Sequence, residues 1–269
     1  MSYAFPQFEF LFADRELLDI SDATAVNDLF TQNDFYFCVN CAAYTAVDKA
    51  EVEKEIAFRV NAVAPGVLAS ACNKTGAGFI HLSTDYVFNG KSSEPYTEEM
   101  DTDPVNYYGY TKLEGERNCM KVNEHSIIIR TAWVYSEYGN NFVKTMLRLM
   151  NSRDAINVVN DQVGAPTYAK DLAEAVMKII CFEQRLPGIY HYSNSGRISW
   201  YDFAVAIRDI AGLHCAIHPI TTEQYPTPAA RPSFSLLDTT KIQSIFGIGI
   251  PSWRESLSYC LQRVKSLEG

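Results

Sequence analysis

Short apolar and β-branched runs alternate along the first half of the chain with longer segments of helical period. Residues 8–13 (FEFLFA) predict a strand, and 22–32 an amphipathic helix behind an aspartate cap. Residues 35–41 predict the next strand. The stretch 51–74 is helical in composition, with Pro65 expected to kink or divide it. A strand over 78–83, a helix over 107–123 and a buried strand over 126–131 follow. This alternation predicts an α/β fold, a Rossmann-like doubly wound parallel sheet with helices on both faces and ligands at the carboxyl ends of the strands. Beyond residue 135 the pattern is less regular, with helices predicted over Phe142–Ser152, 171–182 and Trp200–Ala211. That organisation predicts a dinucleotide-binding domain over 1–135. A smaller substrate lobe is expected over 136–269, with some segments returning to the sheet.

Two segments carry candidate chemistry. The strand over 78–83 runs into Thr84 and Asp85, where the rule for open sheets puts a ligand. Tyr108 and Lys112 are one helical turn apart, so both side chains lie on one face. A hydroxyl, a phenol and an ammonium converging on one point can move a proton onto or off an alcohol or sugar oxygen. The lysine charge is expected to lower the phenol pKa towards working pH. With 16 tyrosines a Tyr-x-x-x-Lys pair also arises by accident, so the spacing by itself is weak.

Composition narrows the classes. The chain has 269 residues, 47% of them apolar, enough for one large α/β domain or a domain with a lobe. A formal net charge of −9 argues against nucleic acid or an acidic membrane as the main partner. Seven cysteines, an odd and scattered set, fit reduced thiols rather than a disulfide framework. Cys38 and Cys41 form a C-x-x-C without a second pair, and are expected to be buried structural thiols. The histidines, His81 and His191 among them, have no ligand spacing, so no metal site is expected. No apolar run is long enough to span a membrane, and no secretion signal opens the chain; a soluble cytoplasmic protein is expected.

An ordered series of motifs then resembles the extended short-chain dehydrogenase/reductases, most closely the dTDP-4-dehydrorhamnose reductase family. It comprises 39–51 (VNCAAYTAVDKAE), Asn61 and Ala62, 83–88 (STDYVF), 108–116 (YGYTKLEGE), 130–135 (RTAWVY), 139–142 (GNNF), 160–167 (NDQVGAPT) and 230–232 (ARP). The resemblance implies reduction, by NADPH or NADH, of the C4 keto group of a dTDP-linked 4-keto-6-deoxy sugar. Tyr108 would be the general acid, Lys112 its electrostatic partner and a ligand of the nicotinamide ribose, and Thr84 a holder of the substrate oxygen. Asp85 and Trp133 match sugar-contact positions. Ala43, Tyr44 and Thr45 match the loop lining the dinucleotide, and Asp19 and Ile20 the pair flanking adenine. Asp14 could hold the adenosine ribose hydroxyls and the adjacent Arg15 a 2′-phosphate, which leaves the choice of cofactor open. Arg231 is a candidate for the diphosphate. Asn61 is expected to bond backbone within the fold, and Asp161 and Gln162 either to touch substrate or to fix a turn. A homodimer is possible.

One departure stands against these matches. The family begins with a strand, a glycine-rich turn and a helix, and this chain has no glycine before Gly66. Its first strand and first helix are therefore expected to be missing, and the natural start to lie upstream of Met1, a truly shortened chain being the alternative. Two rival functions remain. One is a non-catalytic cofactor-binding subunit like the regulatory subunit of methionine adenosyltransferase. The other is a nucleotide-sugar epimerase or dehydratase, which the absence of a second carboxylate after Asp85 weakens.

Overall fold

The computed structural model describes residues 5–268. In chain order the main elements are α1 (Ala23–Gln32), β1 (Phe37–Asn40), α2 (Val47–Ala50), α3 (Lys54–Phe58), α4 (Ala64–Thr75), β2 (Gly78–Thr84), α5 (Tyr107–Val122), β3 (Ile127–Thr131), β4 (Val134–Tyr135) and α6 (Phe142–Ser152). They continue with β5 (Ala155–Val159), β6 (Val163–Gly164), β7 (Thr167–Tyr168), α7 (Ala169–Ile180), β8 (Gly188–Tyr192), β9 (Ile198–Ser199), α8 (Trp200–Ala211), β10 (Ala216–Ile220), α9 (Thr240–Phe246) and α10 (Trp253–Glu268). Among the described residues no helix is long and apolar enough to cross a membrane.

The central sheet is all parallel, in the order β1-β2-β3-β8. Of its two inner strands, β3 is buried along its whole length, as a strand covered on both faces must be. Ile127 and Ile129 pack with Ile80, Tyr190 and Tyr192 under α7 and α9. Ile128 points the other way and packs with Phe79 under α1, α4 and Cys119 of α5. A separate apolar cluster joins α6, α8 and α10 to the parallel pair β5–β10.

Residues 8–13 do not form the expected strand. Phe8 and Phe10 lie against the core under α7, but the backbone of this stretch enters no ladder, and Leu11 and Phe12 are exposed. A strand is defined by its partner's hydrogen bonds, and no described segment lies alongside to supply them. The helical run over 51–74 also differs from a single kinked helix. It breaks into α3, a π-turn over Arg59–Val63 and α4, which has Pro65 in its first turn. Pro65 has no N–H to offer the Asn61 carbonyl, so the regular ladder cannot continue through it.

Beneath α5 lies a buried ion pair. Arg130 of β3 donates to Glu116 of α5 through Nε (3.0 Å) and Nη2 (2.7 Å), and the Ser83 hydroxyl donates to the same carboxylate. Both charged side chains are 3% exposed, so neither has water to fall back on. The pair ties α5 to β2 and β3, the elements that carry Thr84, Tyr108 and Lys112. Glu116→Gln leaves Arg130 buried and uncompensated and is expected to cost about 3–5 kcal/mol. Denaturant unfolding should show that loss, and adding Arg130→Met in the same chain should recover part of it.

Candidate active site

The carboxyl end of β2 and the amino end of α5 are pressed together. Thr84 closes β2 and caps the turn that follows: its hydroxyl accepts from the Tyr86 N–H (3.2 Å) and donates to Asp85 Oδ1 (3.0 Å). Asn106 caps α5, its Oδ1 accepting from the Gly109 N–H (2.8 Å), while Glu51 Oε1 accepts from the Tyr107 N–H (2.8 Å). Gly109 has a steric reason to be glycine, because a Cβ there would stand 2.1 Å from the Tyr86 carbonyl oxygen. That contact brings Tyr108 to Thr84. The Tyr108 ring meets Tyr86 edge to face at 5.7 Å.

Lys112 lies one turn further along α5 and is buried, with Nζ donating to the Leu82 carbonyl (2.7 Å) and 3.3 Å from His81 Nε2. Burial pulls its pKa down to about 8, opposed by the charge of Glu116. Burial likewise pushes the Tyr108 phenol up to about 12, with the Thr84 hydroxyl only partly offsetting it. The expectation of a phenol lowered towards working pH therefore does not hold here: desolvation and the Asp85 charge raise it, and the Lys112 amine is engaged on the strand side. A neutral phenol is nonetheless the form a proton donor needs. Asp85 is buried too, its pKa raised to about 6 by desolvation against the neighbouring Ser235 and Thr84 hydroxyls. Its Oδ2 is buried without a partner.

The loop after β1 is held from two sides. The Ala42 N–H donates to Asn40 Oδ1 (3.0 Å), and Asn61 clamps Tyr44 by accepting from its N–H (2.7 Å) and donating to its carbonyl (3.0 Å). Asn61 Nδ2 also reaches Thr111 of α5 (3.1 Å), so Asn61 has the backbone-bonding task expected of it. Ala43 and Tyr44 are half-buried and Thr45 is exposed, in a loop that leaves the carboxyl end of β1, the strand paired with β2. Asp14 and Asp19 cap turns ahead of α1, accepting from the backbone of Glu16 and Leu17 and of Ser21. Ile20 packs against the α1–α4 core.

Trp133 follows β3 with φ of 49°, a left-handed backbone rare for a tryptophan, and its ring stacks on Trp200 at 3.6 Å. Arg231 forms a fork with Asp48 (2.6 and 2.8 Å), tying segment 229–232 to α2. Asn106 Nδ2 secures the same segment through the Ala230 carbonyl (2.8 Å). Asp161 and Gln162 both bond Thr222 and so fix a turn. The C-x-x-C is a correction to the expectation of two buried thiols: Cys38 is half-buried and Cys41 exposed, since β1 ends at Asn40. Among the described residues no cluster of histidine, cysteine or carboxylate suits a metal.

The geometry brings together Thr84, Asp85, Tyr108 and Lys112, with the 43–45 loop and Trp133 at neighbouring strand ends. Sequence patterns did not single out Asn40, His81, Glu51 or Asn106. Asn106 was open to detection as an asparagine just ahead of a helix start. The other three act through contacts 31 or more residues away in sequence. The donor set has the chemistry a nicotinamide ribose would need. Tyr108 and Lys112 offer a phenol and an amine on one helix face, and the loop over 43–45 is bent ready by Asn40 and Asn61. No glycine precedes Gly66, so the described residues include no glycine-rich cradle for a pyrophosphate.

Comparison with known proteins agrees with this picture. The family model described as the RmlD substrate binding domain matches residues 4–266. The spore coat polysaccharide biosynthesis protein SpsK of Bacillus subtilis is 42% identical over 96% of this chain and 90% of its own. A crystal structure of a dTDP-4-dehydrorhamnose reductase from Clostridium acetobutylicum superposes with a TM-score of 0.92 at 42% identity, covering 96% of this chain and 91% of the other. The dTDP-4-dehydrorhamnose reductase of Bacillus anthracis, in complex with NADP, superposes with a TM-score of 0.93 at 37% identity, covering 96% and 92%. The chain belongs to the RmlD substrate-binding-domain family, among short-chain dehydrogenase/reductase-like proteins of Rossmann fold.

Proposed function

We propose that this chain reduces the C4 carbonyl of dTDP-4-dehydro-6-deoxy-L-mannose to give dTDP-L-rhamnose, with Tyr108 as the proton donor. Relatives of the same fold, of which this chain covers 91% and 92%, carry the name of that reaction, and one of them is in complex with NADP. The observation that carries the assignment to this chain is the meeting of the buried Thr84 with the half-buried Tyr108 at a strand end, with the buried Lys112 one turn behind. NADPH or NADH would supply the hydride to the carbonyl carbon. Lys112 and the 43–45 loop would hold its nicotinamide half, and Asp14, Asp19 and Ile20 its adenosine half.

The roles follow from the environment of each group. As negative charge grows on the C4 oxygen, the Tyr108 phenol gives up its proton to it, guided by the Thr84 hydroxyl. A phenol held near pKa 12 stays protonated until the much more basic alkoxide forms. The lysine charge then offsets the phenolate left behind, and in a dry site such preorganised charge is worth far more than in water. Asp85 Oδ2 has an open acceptor position for a sugar hydroxyl. Trp133 would offer its ring face to the sugar. Arg231, held at the rim by Asp48, would turn towards the diphosphate.

Two outcomes test this assignment. Tyr108→Phe removes the proton but little volume; turnover of the dTDP-keto sugar with NADPH should fall by roughly 10²–10⁴-fold, the usual share of general acid catalysis, with the unfolding midpoint nearly unchanged. Wild-type turnover in that variant would sink the mechanism. The second outcome concerns Asp85, whose carboxyl burial pushes up from the ordinary 3.8 to about 6. Between pH 4 and 6 the folded state binds more protons than the unfolded, so this group's contribution to stability falls as pH rises through that window. It remains a cost of about 3 kcal/mol above pH 6. Asp85→Asn should raise the unfolding midpoint above pH 6 and lose that advantage below about pH 4.

A further inference from the structure

Beside Lys112 lies a chain of hydrogen bonds that settles which nitrogen of His81 carries a proton. The Ala42 backbone N–H can only donate, and it points at Asn40 Oδ1 (3.0 Å), so the amide of Asn40 has one orientation. Its Nδ2 therefore faces His81 Nδ1 (3.0 Å) as a donor, and that ring nitrogen must be the acceptor. His81 is fully buried, and burial above all holds its pKa well below the usual value, so the ring is neutral. A neutral ring that accepts at Nδ1 has its proton on Nε2. Nε2 is 3.3 Å from Lys112 Nζ.

The consequence lies in the lone pairs. An ammonium has none, so a protonated Lys112 would meet the His81 N–H donor against donor. A free amine has one lone pair to accept that N–H. It keeps a proton for the Leu82 carbonyl, which it contacts at 2.7 Å, and another directed elsewhere. We propose that Asn40 and His81 form a tautomer lock that weakens the proton affinity of Lys112, making the lysine a group that gains and loses its proton during the catalytic cycle rather than a fixed cation.

The other groups facing Lys112 do not supply this effect. Glu116 and Cys119 from its own helix and Cys41 from the loop after β1 all favour the charged form. Glu116 is in turn engaged by Arg130 and Ser83. The Phe79 ring, parallel to the imidazole at 6.5 Å, offers His81 no alternative acceptor. His81 is a positioning residue here, acting on the substrate only through Lys112. In the proposed reduction, a lysine that yields its proton readily would restore the Tyr108 phenolate to phenol after each turnover and take a replacement proton from solvent once the site opens. This step rests on the proposed function; the lock itself does not.

Asn40→Asp inverts the lock. A carboxylate keeps the Ala42 contact but can only accept from His81, which moves the ring proton to Nδ1 and turns Nε2 into an acceptor for the Lys112 ammonium. Nitrogen-15 correlation spectra of the imidazoles in the full-length chain report the tautomer directly. The pH dependence of the Lys112 ε-carbon chemical shift reports its protonation. Wild type is expected to show His81 protonated at Nε2. Asn40→Asp should show it at Nδ1, with the Lys112 midpoint raised by about one pH unit, a tenfold gain in proton affinity. The alkaline limb of kcat/KM for the dTDP-keto sugar should move up with it. Protonation at Nδ1 in the wild type overturns the proposal without any variant having to fold, as does an unmoved Lys112 midpoint in Asn40→Asp. If the spectra behave as expected but no sugar turnover is found, the lock stands and the proposed function falls.

Discussion

Lys112 is 2% exposed, and an amine taken out of water must be met by protein groups on every side. Much of the architecture around the site follows from that requirement. The Leu82 carbonyl takes one of its protons at a strand position whose backbone alternates past the ladder. His81 takes the opposite side and is itself oriented from β1 by Asn40. Glu116 supplies charge one turn further along α5, and needs Arg130 and Ser83 because it too is buried. One face of α5 thus carries Tyr108, Lys112 and Glu116 in succession, each answered by a residue of the sheet below. The helix cannot slide along the strands without leaving a buried charge unpaired.

The same constraint explains where the backbone comes close. Gly109 lets the first turn of α5 rest on the Tyr86 carbonyl. Gly115 lets its third turn pass the Asn61 carbonyl, where a Cβ would stand 2.1 Å away. The Asn61 carbonyl lies in the π-turn ahead of Pro65, and the Asn61 side chain reaches over to Tyr44 and Thr111. The irregular helix, the bent loop after β1 and the close approach of α5 are therefore coupled parts of one support. On the far rim, Asp48 and Arg231 tie the 229–232 segment to α2.

Burial also divides the labour among the titratable groups. Desolvation raises Tyr108 and Asp85 and lowers Lys112, so each is shifted towards its neutral form. The Tyr108 phenol keeps its proton until charge develops on a bound oxygen, while shifts to about 6 and about 8 leave Asp85 and Lys112 mostly charged near neutral pH. This is the opposite emphasis from a phenol activated in advance by a permanent ammonium, which the spacing of Tyr108 and Lys112 had suggested.

Local pattern was enough for elements whose determinants are local. The cap Asp22 marks a helix start, the periodicity of Phe142–Ser152 and Trp200–Ala211 marks the helices to the residue, and the apolar run that ends at Thr131 marks a buried strand. The four-residue spacing of Tyr108 and Lys112 likewise follows from helix geometry alone. Tertiary structure decided what depends on a partner distant in sequence. Residues 8–13 have the composition of a strand, but a ladder exists only where another backbone lies alongside. The Tyr108 pKa depends on how much water the packed site excludes, which no spacing encodes. The His81 tautomer depends on Asn40, 41 residues away, and on a backbone N–H two residues beyond it. The chain by itself determined which side chains lie on which face of each element. Only packing determined which of them are dry, and the loss of water sets their protonation.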